Sequence, residues 1–293
     1  MTTDKICIYH GNCADGFGAA YAVWLALGDD CTYVPASYGQ KPPDVYGKQV
    51  YMVDFSYKRG VLLNLAARAL SIVILDHHDT AEKELVDLPS NVEVLFDQSK
   101  SGAVLAWEHF HKAPVPYLLQ LVQDRDLWQF KLPETKQVTA ALFSYDWTFE
   151  MWDAFTYNPQ LLQAEGEALL RKQNKDVQAL CEPHHVDTSR FTVAGVDVDV
   201  PTVNCPWMYA SDVGHELCVR YPEAPFSVTY LVGADKVKFS LRSNGKAHCG
   251  EVAQAFGGGG HPNAAGFSLT HKQFAKGFTA AVARREASTT WDK

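Results

Sequence analysis

Short apolar runs alternate with helical periodicity from the N-terminus onward. Residues 6–9, 50–53 and 72–75 are brief and β-rich and read as strands, while 17–27 and 58–70 carry helical spacing. Strand-helix alternation of this kind predicts βαβ units with a mostly parallel sheet, right-handed crossovers and helices on both faces. Between 101 and 153 the pattern turns helical, with Trp107, Leu118, Leu121, Leu142 and Trp152 as expected core positions. A run at 161–180, rich in Gln, Glu, Lys and Ala and closed by Cys181-Glu182-Pro183, predicts a linking helix. Beyond it the texture changes to hairpins, at 191–203 around Gly195 and at 226–241 around Gly233, with helices near 209–220 and 272–285. The expected architecture is an α/β domain over 1–157 with a mostly parallel sheet, a helical linker over 158–185, and a smaller α+β domain over 186–293 with frayed ends at 288–293.

A length of 293 residues exceeds what one core usually holds, which agrees with two domains. With 47% hydrophobic and 20% charged residues the composition is that of a globular protein. The start Met1-Thr2-Thr3-Asp4-Lys5 lacks the basic and apolar regions of a signal peptide, and no apolar stretch is long enough for a bilayer, so neither export nor membrane insertion is expected. Seven cysteines stand singly without a C-x-x-C pair and read as reduced thiols of a cytoplasmic protein. A net charge of −8 argues against a long duplex as partner, because such affinity comes mainly from Lys and Arg. Short phosphorylated substrates stay open, since metal dications in a cleft reverse the local sign.

Candidate chemistry gathers where strands end. Asp76-His77-His78-Asp79 follows the strand at 72–75, and four ionisable residues there are costly to place unless something binds them. A His pair alone proves little, as His184-His185 beside Pro183 shows. Asp54 follows the strand at 50–53 and suits a bridging ligand between two cations; Ser56 can cap the next helix, leaving Asp54 free. His10-Gly11-Asn12-Cys13-Ala14-Asp15-Gly16 lies between the first strand and helix, where small residues admit a close ligand. Asp124 and Asp126 flank Arg125; either carboxylate completes a metal shell while Arg125 pairs with the other, or all three form a charge cluster at a helix end. Gly257, Gly258, Gly259 and Gly260 precede His261-Pro262-Asn263-Ala264-Ala265-Gly266, a composition suited to donating N–H groups to phosphate rather than to a plain linker, with Arg242 as a nearby clamp.

Taken together and in this order, over essentially the whole chain, these motifs resemble the DHH phosphoesterase superfamily with its DHH-associated C-terminal domain. The resemblance implies a hydrolase that uses two Mn2+ (or Mg2+) ions. Its members include single-strand exonucleases, oligoribonucleotide hydrolases, cyclic-dinucleotide phosphodiesterases, 3′-phosphoadenosine phosphatases and family II pyrophosphatases. Carried over by position, it implies His10 on the first ion, Asp15, His77 and Asp124 on the second, and Asp54 bridging both. His78 would face the phosphate with Asp76 as its support, and Gly258, Gly259, Gly260, His261 and Arg242 would bind substrate. One departure matters: the family's first motif carries an earlier acid where this chain has Cys13, so the first ion loses a hard ligand and its occupancy is expected to weaken.

The expected activity is hydrolysis of phosphodiester or phosphomonoester bonds in short oligonucleotides or nucleotide derivatives, by a water activated between two ions about 3.5–4 Å apart. Trp128, Phe130 and Phe256 are candidates to stack a base. Two alternatives stand beside it: a pyrophosphatase or exopolyphosphatase-like hydrolase, and a non-catalytic nucleotide sensor. A homodimer is compatible with all three.

Overall fold

The computed structural model describes residues 3–276 other than Asn12, Ala194 and Gly195. The chain divides into two compact units, Met1–Gln173 and Asn174–Lys293, with the division inside the long helix α8 described below.

The first unit contains strands β1 (Lys5–His10), β2 (Cys31–Ala36), β3 (Gln49–Val53), β4 (Ser71–Asp76) and β5 (Val92–Phe96). Its helices are α1 (Ala14–Leu27), α2 (Arg59–Ala66), α3 (Asp79–Glu84), α4 (Gly102–Phe110), α5 (Tyr117–Asp126), α6 (Thr135–Leu142), α7 (Phe149–Tyr157) and the first part of α8 (Gln160–Leu180). All strand pairings are parallel, in the order β2-β1-β3-β4-β5. Side chains alternate across a strand, so the central strands must be apolar on both faces. Ile6, Ile8, Val50, Met52, Ile72 and Ile74 pack with Leu62, Leu65 and Ala66 of α2 on one face. Cys7, Val53 and Leu75 face the opposite core, built on Tyr21, Leu105, Leu118, Leu121 and Trp152. The expected α/β class with helices on both faces is therefore the observed one.

Strands β2 and β5 carry no signal as plain as the central ones because both are edges. The first tolerates Pro35, and no residue of the second is fully buried. Helix α2 stops at Ala66, short of residue 70, because Arg68 and Ala69 bond back to Leu65 and Leu70 N donates to Lys48 O, drawing the chain into β4.

The second unit holds β6 (Asp187–Val193), β7 (Val196–Asn204), α9 (Ala210–Arg220), β8 (Ser227–Val232), β9 (Lys236–Arg242), α10 (Cys249–Ala255), β10 (Gly259–Gly260), β11 (Ala264–Thr270) and α11 (His271–Phe274). Its sheet runs β10-β11-β9-β8-β7-β6, with β7 and β8 parallel and the other pairs antiparallel. Phe191, Phe226, Phe239 and Phe267 form its core with Val252 and Ala253 of α10. The bend at Gly195, the end of the helix expected over 272–285 and the residues 288–293 lie outside the described residues. Among those described, no helix is long and apolar enough to cross a membrane. All seven cysteines are free thiols.

Candidate metal centre

The strand order of the first unit reverses direction between β1 and β3: from β1 the chain passes outward to β2, then returns to β1's other side. In such sheets the helices diverge at that point and leave a crevice beyond the carboxyl ends of the strands. His10 ends β1, Asp54 follows β3, and Asp76 ends β4 with His77 and His78 after it. Parallel register brings these ends level, Tyr9 beside Val53 and Val53 beside Leu75.

Three carboxylates converge on one imidazole nitrogen. His77 Nε2 lies 3.1 Å from Asp54 Oδ1, 3.5 Å from Asp126 Oδ2 and 3.7 Å from Asp15 Oδ2. The other oxygen of Asp54 is 3.3 Å from His10 Nδ1. Ligand atoms of Asp15, Asp54 and His77 lie within 4.8 Å of one another, as do those of His10, Asp54 and His78, so Asp54 is common to two adjacent groups. Cys13, at the N-cap position of α1, joins neither.

Backbone geometry fixes this convergence. Asp54 holds φ at 52°, a left-handed conformation that Asp tolerates better than most residues, while its N–H still donates to Leu75 O at 2.9 Å. Gly102 permits that kink: a Cβ there would stand 2.3 Å from Asp54 Cβ. Gly16 does the same for β1, since its Cβ would meet His10 O at 2.2 Å. Asp15 accepts from Gly102 N at 2.6 Å and Ala103 N at 3.0 Å, placing an anion on the positive N-terminus of α4.

Asp76 organises the histidines. Its Oδ1 accepts from His77 N at 2.8 Å and His78 N at 3.2 Å and lies 2.7 Å from His78 Nδ1. Ser56, read above as a helix cap, instead donates to Asp76 Oδ2 at 2.9 Å; the N-cap of α2 is Lys58. The carboxylate against Nδ1 of His78 fixes the orientation of that ring.

Of the pair at the end of α5, Asp126 enters the cluster and Asp124 does not. Residues two apart on a helix point to different sides, so the two cannot share one site. Asp124 accepts from Lys131 N at 2.8 Å, Leu132 N at 3.0 Å and the Thr135 hydroxyl, pinning the turn from α5 into α6. Burial opposes its charge, but these bonds outweigh it and hold the carboxyl below the usual range. Arg125 lies over the rings of Trp128 and Phe143.

The electrostatics call for cations. Among the described residues no Lys or Arg pairs with Asp15, Asp54 or Asp126, and Asp54 Oδ2 is buried without a hydrogen bond. Burial, then the neighbouring Asp54 and Asp126, pushes Asp15 well up. Burial also opposes the charge of Asp54, yet His10 and His77 outweigh it and hold it well below the carboxylate range. For His77 the surrounding carboxylates outweigh burial and push the imidazole up to about 10. One imidazolium cannot neutralise three carboxylates. Hard oxygens mixed with imidazoles form a donor set that fits Mn2+ or Mg2+.

The residues expected to bind substrate phosphate, Arg242, Gly258, Gly259, Gly260 and His261, belong to the second unit. Arg242 closes β9, with Nη2 donating to Ser211 Oγ at 2.7 Å. Gly214 leaves room for it, since a Cβ there would stand 2.7 Å from Arg242 Cγ. The glycine run is not free loop: Gly257, Gly258 and His261 donate their N–H groups to Gln254 O, Ala253 O and Ala264 O, and Gly259 and Gly260 pair with β11. Phe256 stacks on Phe267 at 4.5 Å, in the core. Trp128 and Phe130 pack edge to face at 4.9 Å, with Lys136 over Phe130. Asp126, Ser56 and Tyr38, whose ring lies 5.8 Å from that of His10, were the residues at the centre that the motif reading did not select.

The DHHA1 domain matches residues 222–287. The chain is similar to uncharacterised protein R106 of Acanthamoeba polyphaga mimivirus, 30% identical over 291 residues, covering 90% of this chain and 67% of that protein. Among solved structures it is similar to the DHH domain of a member of the S1p family of ribosomal proteins, with a TM-score of 0.57 and 15% identity over 94% of this chain and 85% of the other. With its motifs set along one parallel sheet and a DHHA1 domain after them, the chain belongs to the DHH phosphoesterase superfamily.

Proposed function

We propose that the protein is a metal-dependent hydrolase of phosphate esters in short nucleic acids or nucleotide derivatives. The observation that supports this is the approach of Asp15, Asp54 and Asp126 to His77 Nε2 without any Lys or Arg partner among the described residues. In this reading Asp15, Asp54, His77 and Asp126 would hold one Mn2+ or Mg2+ ion, with Asp126 in the place that the family resemblance implied for Asp124. His10 and Asp54 hold the other. Bound there, the ions supply positive charge for the phosphoryl oxygens and lower the pKa of a water.

The chain's own groups do the rest. Asp76 fixes the His78 ring through Nδ1, which orients the opposite ring edge for a phosphoryl oxygen as charge builds. Asp15, held by two N–H groups of α4, stays oriented. Arg242, His261 and the Gly258-Gly259-Gly260 segment are assigned to substrate phosphate, to which the guanidinium would bring positive charge. The net charge of −8 agrees with short substrates rather than a long duplex.

A panel of short RNA, single-stranded DNA, cyclic dinucleotide, 3′-phosphoadenosine phosphate and pyrophosphate with Mn2+ tests this, with Asp54→Ala as the blank. Turnover of a nucleotide ester that vanishes in Asp54→Ala is the expected result. Turnover confined to pyrophosphate, or tight nucleotide binding with no hydrolysis, overturns it.

A further inference from the structure

Tyr38 is the feature beside the metal centre that no motif accounts for. It follows β2 at the same edge of the sheet, where Gly11 N donates to Ala36 O at 2.7 Å and ties the loops after β1 and β2 together. Gln40 N donates to Ser37 O at 3.1 Å, and Gly39 holds φ at 85°. That is the pattern of a type II turn, with Tyr38 at its second position and glycine where a left-handed residue is required. Ser37 N donates to Gln40 Oε1 at 3.1 Å and closes the same turn again. The tyrosine is thus presented by a built corner.

Its ring is the outermost member of an aromatic row. Tyr57 and Phe55 meet at 4.9 Å, Phe55 and Tyr38 at 5.0 Å, and the Tyr38 ring then lies 5.8 Å from His10 and 6.2 Å from His78, nearly perpendicular to both. Phe55 and Tyr57 are buried, whereas Tyr38 is 53% exposed. Its hydroxyl has no hydrogen-bond partner among the described residues. A rigid ring half open to solvent, leaning on two histidines of the centre, suits a planar group attached to a phosphate held there.

We infer that Tyr38 is a specificity residue: it stacks the nucleobase of the substrate and so favours nucleotide esters over inorganic phosphates. This rests on the function proposed above. A residue that merely covers Phe55 would affect folding and leave substrate preference alone.

The test is steady-state kinetics of the full chain with Mn2+, on a dinucleotide and on pyrophosphate, together with equilibrium binding of AMP. Tyr38→Ala is expected to raise the dinucleotide KM and weaken AMP binding on the order of tenfold. The ratio of dinucleotide to pyrophosphate kcat/KM falls by the same factor. Tyr38→Leu, which keeps an apolar cover on Phe55, gives the same loss, and Tyr38→Phe recovers most of it. An unchanged preference ratio with unchanged AMP binding in Tyr38→Ala and Tyr38→Leu overturns the inference. If the wild type hydrolyses nothing, the proposed function fails, while the AMP comparison still decides the Tyr38 contact.

Discussion

Gly102 and Asp54 meet so closely that a methyl group on the glycine would lie 2.3 Å from the Cβ of the aspartate. The first residue of α4 thus presses on the carboxylate shared by both ligand groups, which is itself in a left-handed conformation. Gly102→Ala must either lift α4, breaking the N–H bonds to Asp15, or rotate Asp54 out of place. Overpacking of this kind costs about 1–3 kcal/mol. Urea unfolding is expected to show that loss and Mn2+ titration a weakened centre; wild-type values in both would contradict the close approach.

Asp124 and Asp126 separate by experiment because their tasks differ. Asp126→Asn removes a proposed ligand from the cluster around His77 while touching no turn or cap, so metal affinity falls and the fold holds. Asp124→Asn loses charge-assisted bonds to Lys131, Leu132 and Thr135, each kind worth roughly 1.5–3 kcal/mol, so thermal stability falls and metal stoichiometry holds. Elemental analysis and a melting curve on each variant decide it. The reverse pattern restores Asp124 to the centre.

Much of this site was legible because parallel sheets gather their strand ends. The apolar runs at 50–53 and 72–75 by themselves place Asp54 and Asp76-His77-His78 at one edge. Whether Asp124 or Asp126 turned inward was not legible, since α5's rotation depends on the long-range packing of Leu118, Leu121 and Val122. Gly102 was silent for the same reason: its partner is distant in sequence. Tyr38 and the edge strand before it gave weak signals because edge strands need no continuous apolar run. Ser56 reads locally as a cap because serine before a helix favours that role, whereas here a buried aspartate takes the hydroxyl.

His77 and His78 are adjacent in sequence and opposite in expected effect. His77 faces three carboxylates and is proposed to bind metal, while His78 is tied to Asp76 and proposed to face phosphate. His77→Ala is expected to lower the bound Mn2+ count by one. His78→Ala keeps the count and lowers kcat about a hundredfold, the scale of removing one donor from an oxyanion. Loss of an ion in His78→Ala instead assigns that ring to the first ion beside His10 and Asp54.

Metal removal should register in stability, because the proposed ions would bind the folded centre and not the unfolded chain. At a free Mn2+ concentration of about 100 Kd the linkage is about 2.7 kcal/mol. For a unit of roughly 150–250 residues each kcal/mol moves the midpoint about 2–4 °C, so Mn2+ is expected to raise Tm by roughly 5–10 °C over an EDTA-treated sample. The rise comes from relieving repulsion among Asp15, Asp54 and Asp126, so it vanishes in Asp54→Ala and shrinks in Asp126→Asn. Asp124→Asn, by contrast, starts from a lower Tm and gains as much from Mn2+ as the wild type does. A Tm indifferent to Mn2+ in the wild type would mean that the three carboxylates are neutralised by protons alone.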